Sequence, residues 1–545
     1  MNLAVSAMPA PPLWEYPTCV QSTVGAEADR FSHTEGFMLA VVHSCWVHGV
    51  EGQPVRVEVK VRNGLPIFTV VGLPAGAVRE GKERVYAAFA QAELSFPPRR
   101  VTVNLAPADL PKSGSGFDLP IAVALLVAEN HVPADATADA AFVGELGLDG
   151  SVRPVRGAIA LAMSCRSEGT GRLFVPAGNA REASAVPGVE VVPVSSLEET
   201  VGILRGERDP LPVPDGAARP PPALPDLEDV RGQHLAKRAL VVAAAGGHSL
   251  LMAGPPGAGK TMLAKRLAGL LPPLQEAESL EVTRVHSVAG LLSRDRPVKT
   301  RRPFRAPHHT ISAGELIGGG NPPRPGEISL AHLGVLFLDE LPEFSRRVLE
   351  TLRQPIESGC VRIARVRHTV TFPAGFQLIA AMNPCPCGLD GEGCICADRD
   401  IARYRSRLSG PLLDRIDLQV RMPPVTWREL TAGDGVPAWG TEAARDHVRE
   451  ARMRQTARHG DALACNAMMR SRDVLRFCAL SDTGAELLEA GVAAYQLSAR
   501  AVHRTLRVAR TIADLGGRDL IDAPQVAEAL RLRSGLHRMS PGRGM

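Results

Sequence analysis

The sequence predicts an α/β chain of several domains built around a phosphate-binding strand, loop and helix. Three observations carry this. The octet GPPGAGKT, Gly254 to Thr261, matches G-x-x-x-x-G-K-[ST] and sits between the strand-like stretch 248–253 and the helix-like stretch 261–268. An apolar run ending in paired acids, GVLFLDE, follows at 334–340. Strand-like and helix-like segments alternate on both sides of a proline-rich break, and 545 residues are too many for one core.

Composition bounds the class. Apolar content of 45% with 22% charge describes a globular chain, and a net charge of +4 leaves polyanion binding to local patches. The longest apolar run, Leu119 to Ala128, is too short for a membrane span. The opening MNLAVSAMPAPPLWEYP has no Lys or Arg and early prolines, unlike a secretory signal. A cytoplasmic protein with no membrane partner is expected, so the 10 cysteines point to thiols or a metal site rather than disulfides.

Taken in order, residues 1–37 lack periodicity and read as a disordered tail or as sequence ahead of the true start, with Met38 a second candidate start. From 38 to 206 short β-like runs (Val55 to Val61, Ile67 to Val71, Val101 to Leu105) and an apolar helix, Leu119 to Glu129, predict an α/β or α+β domain. Residues 207–227 are dense in proline and form a linker. A nucleotide-binding core spans 228–425. The region 428–545 is mostly helical, with apolar residues at helical spacing from Ser498 to Leu515.

The octet gives the first chemistry. A triphosphate needs many aligned donors, and the loop Gly254, Pro255, Pro256, Gly257, Ala258 and Gly259 lets backbone N–H groups curl around it at a helix N-terminus. Lys260 reaches the β- and γ-phosphates, and Thr261 and Asp339 share Mg²⁺. Glu340 is the natural base for an attacking water. A glycine-rich turn beside a buried strand is the bland alternative for the octet alone, and the second motif in the right order removes it. ATP and Mg²⁺ are the expected cofactors.

Two further constellations stand out. Cys385, Cys387, Cys394 and Cys396 form C-x-C-x₆-C-x-C, close enough to surround a structural Zn²⁺, or else simply four reduced thiols in a glycine-rich loop. Basic residues gather at Arg294 to Arg302 with Arg305, His308 and His309, and again at Arg362, Arg365, Arg367 and His368. Arg301, Arg302, Arg305, Arg362, Arg365 and Arg367 are candidates for DNA phosphate contacts, and solvated charge or interface pairing is the alternative. Phe304 is the one aromatic of the first strip, so base stacking is weakly signalled.

The strings VGLPAGAVREGKERV (71–85), VNLAPADLPKSGSGFDLPIA (103–122), RPFRAPHHTISAGELIGGG (302–320), PRPGEISLAHLGVLFLDELPEF (323–344), AAMNPCPCG (380–388), SGPLLDRIDL (409–418) and LSARAVHRTLRVARTIADL (497–515) resemble the YifB/ComM family of magnesium-chelatase-like AAA+ ATPases. The resemblance runs from about Met38 to Arg533. It implies an AAA+ core with a C-terminal helical lid, a homo-hexameric ring, and nucleotide sites between subunits. Asn383 resembles sensor 1, Arg415 the arginine finger entering the neighbour's site, and Arg500 sensor 2, although Arg504, Arg507 and Arg510 share its helix. The 294–309 strip resembles the helix-2 insertion on the pore side of the ring.

The N-terminal domain resembles the Lon proteolytic domain, whose Ser-Lys dyad needs a lysine base. Here Gly116 falls at the serine and Ile159 at the lysine, with Ser113 and Ser115 close by, so a scaffold without peptidase activity is expected. The implied function is an ATP-driven motor on single-stranded or branched DNA, a branch-migration helicase or translocase for natural transformation and recombination. Two rivals are an ATP-dependent Lon-like protease and the ATPase motor subunit of a magnesium chelatase. Against the second stand the long N-terminal domain and the lack of a D-x-S-x-S motif.

Overall fold

The computed structural model describes residues 37–533 apart from 109–111, 113, 215–222, 294, 366–367, 390–392, 432–439 and 461–464. The tail 1–36 and much of the proline-rich linker therefore lie outside the described residues.

In the strand Glu51–Arg62, Val55, Val57, Val59 and Val61 are buried while Arg56, Lys60 and Arg62 face solvent, the period-2 alternation of a sheet with one covered face. It pairs antiparallel with Phe37–His48, with Gly49 at φ +66° in the turn. The full seven-stranded sheet runs Phe68–Val71, Arg100–Ala106, Glu51–Arg62, Phe37–His48, Ala140–Phe142, Arg172–Pro176 and Glu190–Val194. The helix Asp118–Ala128, buried on every face, packs against it, as its unbroken apolar run requires. At the positions aligned with the Lon dyad, Ile159 is fully buried and Gly116 lies beside Val143 and Val155. The Ser115 hydroxyl donates to the Glu145 carboxylate.

The second sheet is wholly parallel, in the order Phe304–Arg305, Val335–Leu338, Gln377–Met382, Leu250–Ala253 and Leu418–Arg421. Its three central strands are buried throughout, the pattern of a sheet covered on both faces. The helices His234–Gly246 and Lys260–Leu270 share its core with helices of the C-terminal region, where Leu240, Ala244, Val508, Ala509 and Ile512 form one cluster. The helix Ala499–Leu515 starts where the sequence predicts, with the Ser498 hydroxyl accepting from the Ala501 N–H.

Parallel register fixes two edges. Ala253 is level with Met382, while Leu338 is level with Ala380 and ends its strand two residues earlier, so Gly254, Asp339 and Asn383 leave the sheet at the same edge. Ser249, Gly334 and Asp417 gather at the other ends, about 13 Å away for a four-residue strand.

The helix Glu276–Ala289 joins the two sheets. Its Arg284 pairs with Glu51 at 2.7 Å, Ser287 donates to Glu182, and Leu280 enters the cluster of Ile159 and Leu161. Among the described residues, no helix is long and apolar enough to cross a membrane.

Candidate nucleotide site

The octet follows its strand directly. Gly254 has no room for a side chain, since a Cβ there would lie 2.4 Å from the Met422 carbonyl oxygen. Gly257 and Gly259 take φ of +78° and +89°, which a side chain would strain. Lys260 opens the following helix and is 8% exposed. Its ammonium donates to the carbonyls of Gly254 (2.6 Å) and Pro255 (2.9 Å) and to Asn383 Oδ1 (3.0 Å). Burial lowers the Lys260 pKa, opposed by the Asp339 and Glu340 carboxylates. A buried cation resting on its own loop is a donor set suited to a polyphosphate.

Thr261 Oγ1 donates to Asp339 Oδ2 at 2.6 Å, which puts the hydroxyl and carboxylate expected to share Mg²⁺ in contact. Glu340 follows at φ +52°, uncommon for a residue with a side chain. Its Oε2 lies 3.2 Å from His309 Nδ1, and His309 packs against His308 and edge-on to Phe344. The His309 pairing has no signal in the sequence, because it joins residues of different strands' ends.

Arg415 and Arg500 lie at the opposite edge. Arg415 is 7% exposed; it pairs with Glu357 at 2.8 Å and donates to the Pro411 carbonyl at 2.6 Å. Arg500 reaches the same Glu357 at 3.4 Å. Behind them Arg504 bonds Asp417 at 2.6 Å, and Asp417 also meets His248 at 3.2 Å. Burial raises the Asp417 pKa, but His248 and Arg504 outweigh it and hold the carboxyl well below the usual range. A cavity of about 1310 Å³ opens here, lined by Glu357, Arg415, Arg449, Arg452, Arg500 and Arg504. Arg500 thus sits with Arg415 and not with the octet of its own chain.

The basic strips divide. Arg302, one of the DNA candidates, is largely buried and bonds both Glu278 oxygens at 2.8 and 2.9 Å. Arg305 likewise makes two 2.6 Å bonds to Glu327, so its guanidinium is committed within the chain. Phe304 stacks on Phe337 at 6.0 Å rather than facing outward. Arg301 and Arg362 are exposed. Arg362 and Arg365 belong to a hairpin, Cys360–Arg365 with His368–Pro373, and Arg367 lies outside the described residues. The four thiols of Cys385, Cys387, Cys394 and Cys396 come together, all within 4.8 Å of one another.

Sequence comparison matches three family models in chain order: subunit ChlI of Mg-chelatase over 57–179, magnesium chelatase subunit ChlI over 226–430, and the ChlI C-terminal model over 439–533. The competence protein ComM of Haemophilus influenzae is 44% identical over 505 residues, 91% of this chain and 97% of its own. YifB of Escherichia coli is 43% identical over 503 residues, with the same coverage of 91% and 97%. The chain belongs to the YifB/ComM family. A Lon protease of Brucella suis is similar over part of its length, 25% identical over 228 residues and 28% of that protein.

As a YifB/ComM protein the chain is an AAA+ ATPase with a C-terminal helical region and a Lon-like N-terminal domain, and its cofactors are ATP and Mg²⁺. The residues around Lys260 and Thr261 fit both. For this YifB/ComM member, sequence reasoning missed His309, Glu357 and the Asp417 network. Each is a partnership between residues far apart in the chain.

Proposed function

We propose that this chain is one subunit of a hexameric, ATP-driven motor that moves on DNA, branch-migrating or unwinding joints during uptake and recombination. One observation carries the reading of a ring: Arg415 and Arg500 stand at the edge opposite the octet of their own chain. Guanidinium groups that stabilise a transferring phosphoryl must approach it, so these two serve a neighbouring subunit. The DNA part is supported by the similarity to a competence protein and by the exposed Arg301 and Arg362.

In this reading ATP supplies the phosphoryl group and Mg²⁺ neutralises its charge when both are bound. Lys260 leaves its own carbonyls for the phosphates. Thr261 and Asp339 would hold the metal, and Asn383 would orient the water. Glu340 takes the water's proton after parting from His309. Arg415 of the neighbour stabilises the charge that develops, with Arg500 beside it. The Lon-like domain acts as a scaffold, since Ile159 stands where a lysine base is needed.

The test is ATP turnover with and without single-stranded DNA, together with strand displacement from forked and three-stranded substrates. DNA-stimulated turnover and displacement are expected. Turnover indifferent to DNA with no displacement would sink the motor reading. ATP-dependent metal insertion into a tetrapyrrole would favour the chelatase class, and casein cleavage lost in Ser115→Ala the protease class.

A further inference from the structure

Four cysteine sulfurs converge just after Asn383, in a loop that ATP chemistry does not require. Cys385 Sγ lies 3.3 Å from Cys387 Sγ and 3.5 Å from Cys394 Sγ, and Cys387 Sγ lies 3.7 Å from Cys394 Sγ. With Cys396 all four fall within 4.8 Å of one another, and none forms a disulfide. A tetrahedral zinc ion with bonds of about 2.3 Å sets its sulfurs about 3.8 Å apart. The thiols therefore already stand near the corners of such a tetrahedron. The Cys387 N–H also donates to Cys396 Sγ at 3.4 Å, the kind of amide support that orients a metal-bound thiolate. An all-sulfur set is soft and tetrahedral, unlike the octahedral oxygen shell of Mg²⁺, so this is not a second magnesium site.

The loop touches the nucleotide site at two places. Gly388 lies between the two cysteine pairs with φ +79°, and a Cβ there would fall 2.8 Å from Pro256 Cγ. A side chain at 388 would push the cysteine loop off the phosphate loop. Asn383, two residues before Cys385, accepts from Lys260 at 3.0 Å. Between them, Arg405 donates to the Pro384 carbonyl at 3.2 Å. The segment 383–388 thus spans from the Lys260 partner to the Pro256 contact, and the four thiols are the fastening in its middle.

We propose that Cys385, Cys387, Cys394 and Cys396 hold one Zn²⁺ per chain, and that this ion fixes Asn383 and Pro256 relative to each other. The metal half stands on the sulfur geometry alone. The bracing half rests on Asn383 acting in ATP hydrolysis. Without the ion the loop is left with hydrogen bonds such as that from Cys385 Sγ to the Leu389 carbonyl at 3.0 Å.

The experiment is metal analysis of the full-length protein purified without chelator, with thiol accessibility measured in parallel. One zinc per chain is expected, released by a mercurial reagent as the four clustered thiols react. The double variant Cys394→Ser/Cys396→Ser should lose the ion. It should retain nucleotide binding, measured with a fluorescent ATP analogue, and turn ATP over at least several-fold more slowly. Protein that stays substoichiometric after zinc supplementation, bound iron in place of zinc, or zinc retained by the double variant each overturns the metal site. A zinc-free variant that hydrolyses ATP at the wild-type rate overturns the brace and leaves the metal standing. Because wild-type protein supplies the zinc count and release, a variant that fails to fold does not block the test.

Discussion

His309 Nδ1 lies 3.2 Å from Glu340 Oε2, so the acid expected to activate water is already engaged by an imidazole. Glu340 also carries a left-handed backbone, which costs on the order of 1 kcal/mol and needs surrounding contacts to persist. In the proposed mechanism this pair would act as a restraint that opens before Glu340 serves as a base. His309→Ala is predicted to raise ATP turnover in the absence of DNA and to shrink the stimulation that DNA gives. Unchanged basal turnover would show that the contact is incidental. Glu340→Gln should still bind ATP while turnover falls by about 10²- to 10⁴-fold, the usual contribution of a general base.

Because Arg415 lies at the far edge from Lys260, each variant should spoil a different side of a shared site. Arg415→Ala is expected to lower turnover by roughly 10³-fold or more while leaving ATP affinity nearly intact. Mixed with inactive Lys260→Ala, it should regain activity, since one interface in the mixture unites an intact loop with an intact finger. Turnover of the mixture equal to the sum of its parts would place both residues in one self-contained pocket.

The arginines of the basic strips should separate by assay. Arg302→Ala removes one partner of a largely buried pair with Glu278 and should destabilise the fold by about 3–5 kcal/mol, measured by urea unfolding. Arg362→Ala should leave the urea midpoint unchanged, and the exposed Arg301→Ala should cost far less than Arg302→Ala. Each should lower the slope of log DNA affinity against log salt by about 0.9. A destabilised Arg362→Ala, or a salt slope that neither changes, would contradict this division.

His286 sits in the helix that joins the two sheets, 4% exposed, with its Nδ1 3.0 Å from the Val282 carbonyl. Burial pushes its pKa from 6.5 down to about 4, against the Val282 hydrogen bond that raises it. The unfolded chain takes up this proton near pH 6.5 and the folded chain only near pH 4, so stability falls as pH drops through that window. The loss approaches about 1.4 kcal/mol per pH unit. His286→Gln should flatten the melting temperature between pH 7 and 5. An identical slope in the variant would locate the proton uptake elsewhere.

The sequence displays what is local. Glycines at 257 and 259 report a backbone that other residues would strain, and the valines from 55 to 61 report one covered sheet face. The apolar run at 335–338 and the acids after it were readable for the same reason. What stayed hidden is partnership at a distance. Arg302 and Arg305 look alike in a row of charge, and only the fold shows Glu278 and Glu327 opposite them. Arg500 could be placed on a helix with Arg504, Arg507 and Arg510, but not at one end of a sheet. Nothing near Arg415 in the chain announces Glu357. The cysteine spacing was readable as a possible site, while its contact with Pro256 was not.

Glu357 holds the guanidinium groups of both Arg415 and Arg500, at 2.8 and 3.4 Å. A lone subunit sheathes the charge it would lend, with a carboxylate standing in for phosphate. In the proposed ring, a neighbour's triphosphate would displace that stand-in, so fuel would double as mortar. Once phosphate departs, Glu357 would reclaim the pair, and the joint of the proposed ring would slacken at the moment its site is spent.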